Sequence, residues 1–192
     1  AEMKEMTVSG TLISASGGVS LARLAGFAKQ NALAGLEFAS GIPGTVGGGM
    51  MMNAGAYGGA LSDCAKETLC ADFEGNLKTL SGAEQGLSYR KSAFSEQNLV
   101  VLETTFALTR GNEREIEEKM KDFNARRKEK QPLEFPSAGS TFKRPEGYFV
   151  GKLIEDAGLK GFRAGGASVS EKHAGFVIND KGGTTADILA VM

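Results

Sequence analysis

The nineteen residues "GIPGTVGGGMMMNAGAYGG", positions 41 to 59, hold eight of the chain's 27 glycines. Each glycine adds conformational entropy that folding must remove, so a cluster this dense needs a physical reason. One reason is chemical. Flexible turns can aim successive backbone N–H groups inward and form a concavity that binds an anion such as a diphosphate. The other reason is steric: two backbones cross so closely that no side chain fits between them. The common nucleotide loops are absent. A Walker A loop needs Lys after its second glycine, and Met50 follows Gly49 here. A Rossmann fingerprint built on Gly47 and Gly49 needs a third glycine, where Met52 stands. From these residues alone both readings stay open.

Other chemistry-bearing side chains are sparse. Lys121 to Arg163 contain ten Lys/Arg against six Asp/Glu, although the whole chain carries a net charge of -1. That local excess is either a solvated helix face or a site for a small anionic ligand. The overall balance argues against bulk affinity for nucleic acid. Cys64 and Cys70 lack CxxC spacing, and His173 is the single histidine, too few ligands for a zinc site. Reduced thiols in a cytoplasmic protein, and no metal, are therefore expected. Arg90 reads as an exposed strand-end arginine. Ser140, surrounded by Pro136, Ser137 and Gly139, reads as a turn serine.

The elements that position these residues follow from pattern. "MTVSGTLISA", residues 6 to 15, predicts one extended segment, with alternation broken at Leu12 and Ile13 and no visible partner strand. Ser20 is placed to cap a helix whose Leu21, Leu24, Phe27 and Ala28 share a face, with Asn31 closing it. The glycine stretch becomes a loop and a short buried segment. "ETLCADFEGNLKTL" predicts two strands about the turn at 74 to 76, and "NLVVLETTFALTR" a further strand. Asn112 is placed to cap a helix carrying Ile116, Met120 and Phe123 that ends before Pro132. Beyond it come a loop at 132 to 148, a short helix around Leu153 to Ala157 stopped by Gly158, and a strand at 174 to 178. A terminal helix begins with Thr185 as its cap. At 192 residues the chain suits one large domain or two small ones, and the division falls near 110 to 130. No run approaches the roughly 20 apolar residues needed to span a bilayer. Both ends read as cut, so a fragment is expected.

Five blocks in fixed order carry a family resemblance: "GLEFASGIPGTVGGGMMMNAGAYGG", "YRKSAF", "QPLEFPSAGSTFKRP", "GKLIEDAGLKG" and "VSEKHAGFVIN". Together they resemble the UDP-N-acetylenolpyruvoylglucosamine reductases, flavoproteins of peptidoglycan synthesis. The resemblance implies an α+β fold. Residues 1 to 115 would form the second half of a vanillyl-alcohol-oxidase-type FAD-binding domain, and 116 to 192 a small α+β substrate-binding domain. It further implies that the family's first FAD subdomain and its segment with a catalytic glutamate lie outside this chain. The isolated chain would then hold FAD weakly or not at all. The extra tyrosine insertion of one branch is absent, so the shorter branch is the better match.

By the same resemblance, NADPH reduces FAD and a nucleotide sugar bearing an enolpyruvyl group then receives the hydride. Arg90 matches the active-site arginine, whose guanidinium grips a carboxylate through two parallel hydrogen bonds and stays charged. Ser140 matches the proton donor. Lys143, Arg144, Lys152, His173 and Tyr89 match substrate contacts, although many relatives carry asparagine in place of Arg144. Gly41, Ile42, Pro43, Gly44, Thr45, Gly47, Gly48, Asn53, Gly55, Ala56 and Tyr57 match the flavin contacts. Gly49 and the three methionines after it depart from the family's usual alanine and short apolar residue. The alternatives are another flavoprotein oxidoreductase of this broader fold, or a nucleotide-sugar-binding module without catalysis. The expected partner is a small nucleotide sugar, with neither nucleic acid nor membrane involved.

Overall fold

A computed structural model describes residues 3–192. The chain divides into two compact units, the first ending at Asn124 and the second beginning at Ala125. The predicted extended segment at the start is two strands, β1 (Met6–Ser9) and β2 (Leu12–Ser16), paired antiparallel. Gly10 at φ 62° supplies the turn between them, which is why alternation breaks at Leu12. The prediction of a partnerless strand is thereby corrected.

Helix α1 (Leu21–Gln30) forms as its caps predict. The Ser20 hydroxyl accepts from the Arg23 N–H, worth about 1 kcal/mol in such positions, and Asn31 closes the other end. Strand β3 (Leu33–Ala34) follows. Part of the glycine stretch is helical: α2 (Val46–Met51) is capped by Thr45, whose hydroxyl accepts from Gly48 N–H. The short strands β4 (Gly55–Ala56) and β5 (Gly59–Ala60) then make a tight hairpin through Tyr57 and Gly58, both at positive φ.

Strands β6 (Ala65–Ala71) and β7 (Leu77–Ser81) pair about a turn that Asp72 organises by accepting from the N–H groups of Glu74 and Asn76. The one-turn helix α3 (Ala93–Glu96) precedes the long strand β8 (Val100–Ala107) and the short β9 (Thr109–Arg110). The main sheet runs β1-β2-β8-β6-β7, antiparallel throughout. The buried side chains of Ile13, Leu21, Leu24, Leu36, Phe94 and Phe106 belong to its core. Each such side chain contributes roughly 1.5–3 kcal/mol by leaving water. Thr68 and Thr104, opposite each other on β6 and β8, share a hydrogen bond, and Thr68 also donates to fully buried Gln85.

Helix α4 (Glu113–Lys130) starts where Asn112 accepts from the N–H groups of Arg114 and Glu115. In the second unit, α5 (Val150–Asp156) begins three residues before the predicted helix start and stops ahead of Gly158 at φ 70°. Strands β10 (Arg163–Ala164), β11 (Ala167–Val169) and β12 (Val177–Asn179) form a small antiparallel sheet. The predicted strand at 174 to 178 starts late because His173 to Phe176 close a turn, Phe176 N–H to His173 carbonyl at 3.0 Å. Helix α6 (Thr185–Val191) is capped by Thr184, not Thr185. Only the earlier threonine stands three residues ahead of Asp187, whose carboxylate returns a bond to the Thr184 N–H.

Candidate active site

The first unit brings the glycine stretch and the "YRKSAF" block together. Asn53 is buried at φ 42°, a conformation asparagine tolerates. Its Oδ1 accepts from Ser62 N–H at 2.9 Å, and its Nδ2 donates to the Ser62 hydroxyl and to the Ser88 carbonyl, each at 3.2 Å. Ser88 and Lys91 exchange backbone hydrogen bonds in both directions and close a turn with Tyr89 and Arg90 at its centre. Ser92, at the other end, donates to the Met51 carbonyl at 2.8 Å and caps α3. Arg90 is therefore presented on a turn fastened to the end of α2. Its guanidinium lies 5.2 Å from the centre of the exposed Tyr89 ring. Among the described residues no carboxylate pairs with it.

The glycines divide by surroundings. A Cβ at Gly47 would lie 3.1 Å from the Gly17 carbonyl oxygen; at Gly49, 2.9 Å from Leu61; at Gly55, 2.7 Å from the Gly59 carbonyl; at Gly59, 2.6 Å from Phe38. These four serve internal packing, the steric reading. A Cβ at Gly44 or Gly58 meets nothing within 4 Å, and at Gly48 only the Thr45 hydroxyl at 3.6 Å. All three are exposed, which leaves a surface open to a ligand. The N–H groups of Val46, Gly47, Gly48 and Gly49 are engaged by Val19, Gly17 and Thr45, so this run is not a set of free donors. Gly41 and Ile42 are half-buried and Pro43 exposed on the approach to α2. Tyr57 stacks on Phe123, rings 4.8 Å apart and nearly parallel.

The second unit gathers a different set. Ser140 is exposed and bridges to Phe176, with Thr141 N–H bonded to the Gly175 carbonyl and the Thr141 hydroxyl accepting from Val177 N–H. Gly175 N–H in turn donates to His173 Nδ1 at 3.1 Å. With Nδ1 accepting, the neutral ring carries its proton on Nε2. Gly151 at the start of α5 packs closely on this ring: a Cβ there would lie 3.2 Å from His173 Cε1, so the imidazole would have to give by a few tenths of an ångström. A single histidine flanked two positions on by glycine was the signal available in sequence; the partnership with Gly151 was not visible.

Cations of the basic segment are unequally committed. Arg163 makes a bidentate pair with Asp180 at 2.8 and 2.6 Å and holds that carboxyl below its ordinary value. Lys152 pairs with Asp156 one turn along α5, which raises the ammonium above its usual value. Arg144 donates to the Tyr148 carbonyl and lies 4.0 Å from the Phe149 ring centre. Lys143 is exposed, and among the described residues no carboxylate pairs with it. Cys64 and Cys70 are unpaired and buried; burial, then Asp63 and Glu37, push the Cys64 thiol up to about 12. Among the described residues no cluster of His, Cys, Asp and Glu is placed to hold a metal ion, and no helix is long and apolar enough to cross a membrane.

Residues 131–192 match the family model for the UDP-N-acetylenolpyruvoylglucosamine reductase C-terminal domain, and residues 2–81 match an FAD binding domain. The crystal structure of the reductase from Thermus caldophilus superposes with a TM-score of 0.88 at 31% identity, covering 99% of this chain and 69% of that one. The chain belongs to the UDP-N-acetylenolpyruvoylglucosamine reductase family. The family's enzyme from Caldanaerobacter subterraneus subsp. tengcongensis is 52% identical over 97% of this chain and 62% of its own length. That of Lachnoclostridium phytofermentans is 50% identical over 95% of this chain and 59% of its own. The chain thus spans about three fifths of the length of these curated relatives. The expected α+β reductase fold is the one observed.

Proposed function

We propose that the complete protein reduces UDP-N-acetylglucosamine enolpyruvate to UDP-N-acetylmuramate in the cytoplasm, a step of peptidoglycan synthesis, with FAD as cofactor and NADPH as reductant. The observation that carries this reading is the Arg90 turn, fastened to the glycine helix and presenting a guanidinium that, among the described residues, no carboxylate neutralises. The open backbone at Gly44, Gly48 and Gly58, with the Thr45 hydroxyl beside Gly48, fits FAD, because a Cβ at any of the three would fill space that a flat or phosphorylated group needs. Gly41, Ile42, Pro43, Ala56 and Tyr57 complete that surface, while Gly47 and Gly55 serve the packing that holds the stretch. Residues 1–115 are the C-terminal part of the FAD-binding domain in this reading, and 116–192 the substrate-binding domain.

Bound FAD supplies the hydride that NADPH delivers to it. Arg90 clamps the enolpyruvyl carboxylate and takes up the negative charge that develops there as the double bond is reduced. The Ser140 hydroxyl gives its proton to the neighbouring carbon. A neutral hydroxyl is a weak acid, but an enolate is basic enough to take its proton, and no fixed anion is left facing an anionic substrate. Lys143 steadies the resulting alkoxide. Arg144, Lys152, Tyr89 and His173 contact the nucleotide sugar, with His173 donating from Nε2. Neither nucleic acid nor a membrane is a partner in this scheme. The test is spectroscopic: protein from the complete gene is yellow, NADPH bleaches it, and the enolpyruvyl nucleotide sugar restores the colour. Colour that NADPH does not bleach overturns the reading.

A further inference from the structure

We propose that Asn53 is a positioning residue for Arg90, acting through the Ser88 carbonyl, a role that rests on the proposed part of Arg90 in the reaction. Arg90 is the third residue of the turn Ser88–Lys91 and sits at φ 55°. Turns that demand positive φ at this place take glycine or asparagine by preference. A long branched-charge side chain held there is strained, and such strain persists only where the surroundings over-determine it. The surroundings are visible. Ser62 N–H fixes which end of the Asn53 amide is oxygen, so Nδ2 is aimed at Ser88. The Ser88 carbonyl then accepts twice, from Lys91 N–H and from Asn53 Nδ2, which uses both its lone pairs. With that peptide plane locked, the Tyr89–Arg90 pair cannot swing about its base. Ser92, bonded to the Met51 carbonyl, locks the far end. Asn53 is buried and spends its amide on Ser62 and Ser88, so its influence reaches the reaction through the turn.

The decisive variant is Asn53→Asp in protein from the complete gene. It keeps the size and the acceptor for Ser62 N–H but sets a carboxylate oxygen against the Ser88 carbonyl. Amide hydrogen exchange at Lys91 is expected to accelerate by about tenfold or more, while amides of Val101 to Phe106 hold. Reoxidation of the reduced flavin by the enolpyruvyl substrate is expected to slow about a hundredfold. In an Arg90→Ala background the same change is expected to cost less than about twofold in reoxidation, because coupled residues are not additive. Asn53→Ala, read the same way, serves if the aspartate variant does not fold. Unchanged exchange at Lys91, or equal slowing with and without Arg90, overturns the proposal. If the unaltered protein is not reoxidised by that substrate, the functional reading fails instead, and Lys91 exchange alone decides whether Asn53 holds the turn.

Discussion

The side-chain amide of Asn53 lies 3.2 Å from the carbonyl oxygen of Ser88, 35 positions along the chain. Both ends of this contact adjoin strained backbone, since Asn53 and Arg90 each have positive φ. A left-handed residue other than glycine costs roughly 1–2 kcal/mol, less for asparagine. The first unit therefore holds an unfavourable conformation at the arginine whose charge the proposed reaction needs.

Replacing Arg90 should separate stability from function. Arg90→Gly relieves the strain while loosening the unfolded chain, so the net change is expected between zero and about 1 kcal/mol of stabilisation. Reoxidation of the reduced flavin by substrate should meanwhile be lost by about a hundredfold or more, as for loss of a transition-state charge partner. Denaturant unfolding and single-turnover kinetics on the same preparation measure the two effects. A destabilisation above about 1 kcal/mol refutes the strain argument.

The glycine cluster yields the opposite separation. Gly49→Ala and Gly59→Ala press a methyl against Leu61 and Phe38 at 2.9 and 2.6 Å and should each cost about 1–3 kcal/mol. Gly48 lies inside α2 with room around it, so Gly48→Ala should raise stability by up to about 1 kcal/mol. FAD retention on gel filtration should nevertheless fall for Gly48→Ala, because its methyl stands on the open surface. A Gly48→Ala protein that keeps its flavin as tightly as the parent removes that surface from the cofactor site.

What could be read from the sequence was what is local. Ser20 and Asn112 act as caps because a cap needs only a side chain and an N–H two or three residues on. Gly10 hid its turn because the residues on either side are equally good strand formers. The terminal cap moved to Thr184 because two adjacent threonines compete and only the spacing to Asp187 decides. Which glycines pack and which face outward depended on Phe38, Leu61 and Gly17 meeting them across the fold, and no periodicity carries that information. Arg90, Ser140 and His173 stood out by the ordered blocks around them. The supports, Ser62, Ser88, Ser92 and Gly175, are small residues with no signature of their own.

The Cys64 thiol offers a pH test of the core. Burial, first of all, raises it to about 12, well above the ordinary thiol value of 9.0. A group whose protonated form is favoured by folding contributes stability below the unfolded value and loses it as pH climbs toward the folded one. Stability should therefore decline between pH about 9 and 12, and less steeply in Cys64→Ala compared with its own value at neutral pH. At pH about 8 the folded protein should resist alkylation at Cys64, since the thiolate is the reactive form. Fast labelling by iodoacetamide in native buffer, with peptide mapping to residue 64, contradicts the burial argument.

Ser140 is where proton delivery can be separated from everything else. The residue is exposed, and the backbone beside it is fixed by the bond from Thr141 N–H to the Gly175 carbonyl and by Val177 N–H on the Thr141 hydroxyl. Removing one oxygen from Ser140 therefore leaves the loop's anchors intact. In protein from the complete gene, Ser140→Ala should bleach with NADPH at the parental rate, because that half-reaction needs no proton from this side chain. Return of the yellow colour on adding the enolpyruvyl substrate should slow by about 10²–10⁴, the range for loss of a general acid. Thr141→Val makes the complementary test: it takes away the acceptor for Val177 N–H and should weaken the second unit by about 1–3 kcal/mol while leaving the Ser140 hydroxyl present. Rapid reoxidation of the alanine variant assigns the proton to another donor, whatever the threonine variant does.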